Sequence, residues 1–325
     1  MTALTDRVRF FALTAAVLMM AAGCQPVRTP RPGPVPEVRK PAPTAAAAPV
    51  GKLNIFRDAV HILHGKTVET FLRIEELEGK YAVMATDVDA TLTLESFTPV
   101  LEGRKLRTLT DLRFREAAAD VLNRYAALLN AVAEDGMETG GDRAAGELAG
   151  SLAIFRNATV PDGVGRTEVA GIFDGVSAAL DGIRREPDRA AALKTLMDGA
   201  QVDLQRLSSL IVRDHGKFKD LVDKMIRGIV ESANARRPIH EDYIDPALTA
   251  FDSRIAALIR ESQEIQAALD AVMAGFAQAP EAHFAIRNIL GRDLKGLPAL
   301  QSLLQKAREA DRRYRALESK TPPLP

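Results

Sequence analysis

Leu193, Met197, Ala200, Leu204, Leu207 and Ile211 recur at intervals of four, three, four, three and four residues. Leu248, Phe251, Ile255, Leu258, Ser262, Ile265, Leu269, Val272 and Phe276 hold a three-four alternation for about four heptads. Only a helix returns side chains to one face at that interval, so the pattern commits much of the chain to long helices sharing a seam. Phe218, Leu221, Met225 and Ile229 resume the first stripe after a polar interruption at Asp214-His215-Gly216. Between the two stripes, Arg236-Arg237-Pro238 and Asp245-Pro246 read as a turn and a helix start. The segments Asp188 to Arg236 and Leu248 to Phe276 are therefore expected to form a long antiparallel, coiled-coil-like hairpin. Unbroken, the first would be about 70 Å long at 1.5 Å per residue, with Gly216 and Gly228 as bend points. Ser262 and Asp214 are the polar residues set into the two stripes, where such residues fix register at some cost in stability.

The remaining folded chain has the same period. Ile55, Phe56, Ala59, Ile62, Leu63, Val68, Phe71, Leu72 and Ile74 carry one amphipathic segment from Leu53. Phe114, Ala118, Val121, Leu122, Tyr125, Leu128, Leu129 and Val132 carry another, from Asp111 to Glu134, ended by Asp135-Gly136. Shorter helical pieces are expected near Arg143 to Ala158 and Thr167 to Arg185, and a final pair around Glu281 to Leu290 and Pro298 to Glu318. Aromatic residues are 5% of the chain and Trp is absent, which suits helices packed on helices better than a β-sandwich. The expected fold is all-α: an elongated multi-helix bundle over residues 51–320, closed by a short disordered tail at 321–325.

The first fifty residues have a different character. Met1 to Arg9 is short and basic, and Phe10 to Met20 is an apolar run too short for the roughly 20 residues of a membrane span. Ala21-Ala22-Gly23-Cys24 follows and resembles the lipobox of bacterial lipoproteins, with Ala21 where Leu is usual. The resemblance implies a signal peptide over 1–23, cleavage between Gly23 and Cys24, and a diacylglyceryl thioether on Cys24, so that the lipid bilayer is a partner. It covers about 24 residues and assigns no family to the helical domain. Cys24 is the chain's single cysteine, so no internal disulfide is expected and the core alone must hold the fold. Gln25 in the following position points toward the outer membrane, facing the periplasm.

From Gln25 to Val50, eight prolines (Pro26, Pro30, Pro32, Pro34, Pro36, Pro41, Pro43 and Pro49) remove backbone donors and fix φ. Residues 24–50 therefore read as a lipidated cysteine and a disordered linker, reaching up to roughly 80 Å at about 3.1 Å per residue. Arg28, Arg31, Arg39 and Lys40 against Glu37 make that linker basic. The whole chain balances 43 basic against 43 acidic residues. It lacks the electrostatic footprint of a nucleic-acid binder.

Few constellations suggest chemistry. Asp87-Val88-Asp89-Ala90-Thr91 resembles the first motif of haloacid dehalogenase-like phosphatases, which would make Asp87 the nucleophile and Asp89 the acid. That family's parallel sheet requires alternating strands and helices, a pattern this chain lacks. Read as an EF-hand, the same stretch fails at Leu92 and Thr98, where Gly and Glu belong. Asp87, Asp89 and Glu95 stand as a looser candidate cation site. His61 and His64 lie one helical turn apart, but no Glu-x-x-His partner accompanies them. His240-Glu241-Asp242 reads as a helix cap at the hairpin turn. No Walker-type loop or Gly-x-Ser-x-Gly element is present. The expectation is a cofactor-free scaffold or adaptor for another envelope protein, without enzymatic activity. The alternative is a bundle that binds a small ligand, lipid or metal in its interior.

Overall fold

The structure is a computed structural model and describes residues 47–84, 94–184, 186, 188–235, 246–288, 290 and 298–320. The chain divides into two units, Met1–Ala42 and Pro43–Pro325, and every described residue belongs to the second. Among the described residues all regular structure is helical: α1 (Ala47–Met84), α2 (Leu94–Glu134), α3 (Asp142–Asn157), α4 (Arg166–Ala170), α5 (Asp174–Ile183), α6 (Arg189–Val212), α7 (His215–Ala235), α8 (Pro246–Asn288) and α9 (Pro298–Lys320). A π-helical turn at Met137–Gly141 joins α2 to α3. The all-α expectation holds.

The hairpin is present. Asp198 pairs with Arg287, Ser208 meets Phe276, His215 meets Asp270, and Asp223 meets Gln266. One partner's number falls as the other's rises, so α6 and α7 run antiparallel to α8. Its first arm is two helices. Asp214 takes a left-handed backbone (φ 62°) between α6 and α7, a conformation that Asp tolerates better than most residues. The interruption read at Asp214-His215-Gly216 is thus a true break. The buried face of α6 is also wider than a two-helix seam. Leu196 and Leu210 are buried beside the heptad residues, because α6 packs on α2 and α5 as well as α8.

Four boundaries differ from the periodicity. α1 begins at Ala47, inside the stretch assigned to the linker; Pro49 falls in its first turn, where the missing N–H would have had no helical acceptor. α2 begins at Leu94, because Glu102, Arg104, Lys105 and Arg107 blur the apolar spacing before Asp111. The piece at Thr167 to Arg185 resolves into α4 and α5, separated by Gly171-Ile172-Phe173. Glu281 to Asn288 is no separate helix, since α8 continues through Pro280.

α1 packs against α2, α7, α8 and α9, and α8 packs against α9 as well. The core is continuous, with Phe56, Leu63, Phe114, Tyr125, Phe155, Phe173 and Phe276 among its fully buried side chains. α5 crosses α6 where two glycines face each other. A Cβ on Gly175 would stand 2.6 Å from the Gly199 carbonyl oxygen, and one on Gly199 would stand 2.9 Å from that of Gly175. Only two bare backbones allow this approach.

Candidate functional site

Pro280 inside α8 sets up the most elaborate polar arrangement in the described core. Proline has no N–H, so the carbonyl four residues earlier, at Phe276, loses its helical donor. The buried Ser208 of α6 supplies one: its hydroxyl donates to Phe276 O at 2.7 Å. One helical turn further along α8, His283 is fully buried and held at both ring nitrogens. Its Nδ1 lies 2.7 Å from Gln201 Oε1, and its Nε2 lies 2.8 Å from the Tyr125 hydroxyl.

The proton order follows from a fixed acceptor. Gln201 Nε2 reaches the Pro280 carbonyl at 3.5 Å, and a carbonyl can only accept. Gln201 therefore turns its oxygen to His283, which carries its proton on Nδ1 and accepts from Tyr125 at Nε2. Burial holds the imidazole down to about 3 and pushes the Tyr125 phenol up, so both are neutral. Phe56 and Tyr125 flank the imidazole at 6.1 and 5.6 Å, and Phe173 meets Tyr125 at 5.0 Å. Four helices, α1, α2, α6 and α8, meet here together with the Phe173 turn before α5. Every ring nitrogen is committed within the protein, so the geometry fixes helices in register rather than presenting a free acid or base.

Two further charges are built into the interior. Arg115 of α2 is 1% exposed. Its Nη2 and Nε donate to the Arg213 carbonyl at 2.9 and 3.3 Å, and its Nη1 donates to the Asp111 carbonyl at 3.0 Å. The guanidinium lies 4.7 Å from the Phe218 ring and 3.6 Å from the Asp214 carboxylate. It thus holds the α6–α7 break from α2, although burial lowers its basicity. Asp203 of α6 accepts the Phe173 N–H at 2.9 Å. Phe173 is left-handed (φ 64°), costly for so bulky a residue, and Asp203 secures that turn. Burial raises the Asp203 carboxyl, with the Phe173 N–H opposing.

The residues singled out by sequence fall elsewhere. Cys24, Gly23, Asp87, Asp89 and the His240-Glu241-Asp242 cluster lie outside the described residues, and of Glu95 only the backbone in α2 is described. His61 is exposed while His64 turns toward Asp120, 3.8 Å away. Asp120 also accepts from Ser151 at 2.7 Å. The hydroxyl is thus bound to the carboxylate, the reverse of a hydrolase triad, in which the imidazole takes the hydroxyl's proton. Among the described residues no group of three His, Cys, Asp or Glu is placed to hold a metal ion, and no helix is long and apolar enough to cross a membrane. Ser262 donates to the Ile259 carbonyl of its own helix at 2.8 Å, so it makes no register bond across the hairpin. The larger recesses are open grooves, such as one of about 700 Å³ between α2 and α3, lined by Thr110, Phe114, Ala117 and the exposed Ile154.

Sequence reasoning passed over Arg115, Ser208 and His283. Two of them carry a readable mark, because Arg115, Ala118, Leu122 and Tyr125 share one stripe and His283 stands between Ala279 and Ile286 at helical spacing. Compared with known proteins, the chain matches no family model, no curated protein and no solved structure.

Proposed function

We propose that this protein is a lipid-anchored envelope protein whose helical bundle serves as a scaffold or adaptor for another envelope protein. The observation that carries it is the placement of the chain's one cysteine, Cys24, between an apolar run and a Pro-rich linker that leads into the bundle. On this reading the acyl groups confine the protein to the periplasmic face of the outer membrane, and the linker sets its reach.

The interior supports an adaptor role by its chemistry. His283, Tyr125 and Arg115 are matched by one another, by Gln201 and Asp214, or by backbone carbonyls, leaving the outer faces of the helices for recognition. Val202 on α6 and Ile259 on α8 are large apolar side chains left exposed along the hairpin. The alternative, a ligand held inside the bundle, would need space that Tyr125, His283 and Gln201 fill at the centre.

The test has two parts. Intact mass of the membrane-extracted protein should show loss of residues 1–23 and gain of acyl groups, and a Cys24→Ala variant should show neither. In-cell crosslinking should then recover one envelope protein reproducibly from the anchored form. An unacylated native chain would overturn the anchor, and absence of any reproducible partner would overturn the adaptor.

A further inference from the structure

α9 buries Leu300, Leu303, Ala307, Ala310, Tyr314 and Leu317 against α8 and α1. The stripe directly opposite reads Gln301, Gln305, Arg308, Arg312 and Arg315, at intervals of four, three, four and three, and all five residues are exposed. It contains no acidic residue. Lys306 and Arg313, also exposed, flank it. Of the three acids of α9, Glu318 is exposed beyond the end of the stripe, one turn after Arg315, while Glu309 and Asp311 are half-buried at its edges and divided among several cations. Glu309 pairs with both Arg312 and Arg313, while Asp311 pairs with Arg315 at 2.9 Å and with Lys66 of α1 at 3.4 Å. Lys306 and Arg308 have no ion-pair partner among the described residues. In a chain of zero net charge, this is a concentrated basic face.

We propose that the basic stripe of α9 is a contact for anionic phospholipid headgroups, by which the bundle lies against a membrane surface. The stripe offers charge and amide donors along one line. Among the described residues, the exposed large apolar side chains (Ile55, Leu72, Ile154, Val202, Ile259 and Phe284) all belong to other helices. Protein contacts centre their arginines beside desolvated apolar or aromatic anchors, which this face does not offer, whereas a headgroup layer needs only density of cations, each contributing about 1 kcal/mol near an anionic surface. The proposal rests on the lipid anchor only for proximity: a tethered domain samples the surface at high effective concentration, so a weak electrostatic contact suffices. The basic linker residues Arg28, Arg31, Arg39 and Lys40 would favour the same leaflet.

The experiment places a single environment-sensitive dye on the full chain at Gln301→Cys, with the native Cys24 blocked by its own thioether. The protein is reconstituted through its anchor into vesicles of phosphatidylcholine alone or with about one third phosphatidylglycerol. The expected result is a blue-shifted emission in the anionic vesicles only, reversed by high salt. A triple Arg308→Gln, Arg312→Gln, Arg315→Gln variant, with helicity verified by circular dichroism, should lower the docked-to-free ratio on the order of 100-fold. Equal emission in both vesicle types overturns the proposal, as does a response to soluble polyglutamate in place of vesicles, which would mark α9 as a site for acidic protein. Failure of the anchor is a separate reading: the chain would take up two dyes and not float with neutral vesicles. The same comparison, made with the chain added from solution, would then decide the stripe.

Discussion

At the residue scale, a proline in mid-helix and a serine on the facing helix act as one unit. Pro280 leaves the Phe276 carbonyl without its helical donor, and Ser208 provides another. Ser208→Ala should therefore destabilise the protein by about 1–3 kcal/mol, the cost of a buried acceptor left unpaired. In a Pro280→Ala background the helical N–H returns, so the same substitution should cost clearly less. Denaturant unfolding of the four proteins in that cycle measures the coupling, and equal costs in both backgrounds would refute it. His283 gives a second expectation, with a definite sign. Its folded value of about 3 lies far below the ordinary 6.5, so the unfolded chain takes up a proton there before the folded one does. Stability is fully present above about pH 7 and falls as pH drops from 6.5 toward 3, by up to about 1.4 kcal/mol per unit from this one group. A His283→Gln variant should lose that slope in unfolding curves between pH 4 and 6.5, whatever its stability at neutral pH.

At the scale of elements, the α6–α7 break is held from outside. Arg115 reaches from α2 to the Arg213 carbonyl and lies against Phe218, the first core aromatic of α7. Arg115→Met keeps the stem but leaves the Arg213 carbonyl without its side-chain donors, so it should cost about 1–3 kcal/mol and loosen α7, seen as faster amide exchange there than in α6. Uniform exchange along both helices would argue against a localised clamp. The α5–α6 crossing is equally specific. Gly199→Ala would drive a methyl group into the Gly175 backbone, so it should destabilise, although Ala favours helix over Gly elsewhere. Much of this level was legible in the sequence. The heptads and the turn signals between them marked the antiparallel hairpin, and Asp214-His215-Gly216 marked an interruption that the structure resolves as a break. The continuation of α8 through Pro280 was not legible, because proline's local penalty is offset by a residue seventy-two positions away in sequence. The Gly175–Gly199 approach was equally hidden, since neither glycine departs from an ordinary helical pattern. Arg115 and His283 interrupt apolar stripes, a visible mark whose meaning depends on which neighbour supplies the partner.

At the scale of the whole molecule, the proposed acylated Cys24 and proline-rich spacer lead into a bundle whose buried His283, Tyr125 and Arg115 all find partners within the protein. On the proposed reading the bundle acts through its surfaces, which carry a basic face on α9 and exposed apolar positions on α6 and α8. The measurement that tests the central claim most directly is in-cell crosslinking of the native protein, run beside Cys24→Ala and read by mass spectrometry. The expected result is one envelope protein recovered reproducibly from the native form, joined at residues of α6 to α8, with its yield sharply reduced when Cys24 is replaced. Recovery of no consistent partner from the native form would contradict it.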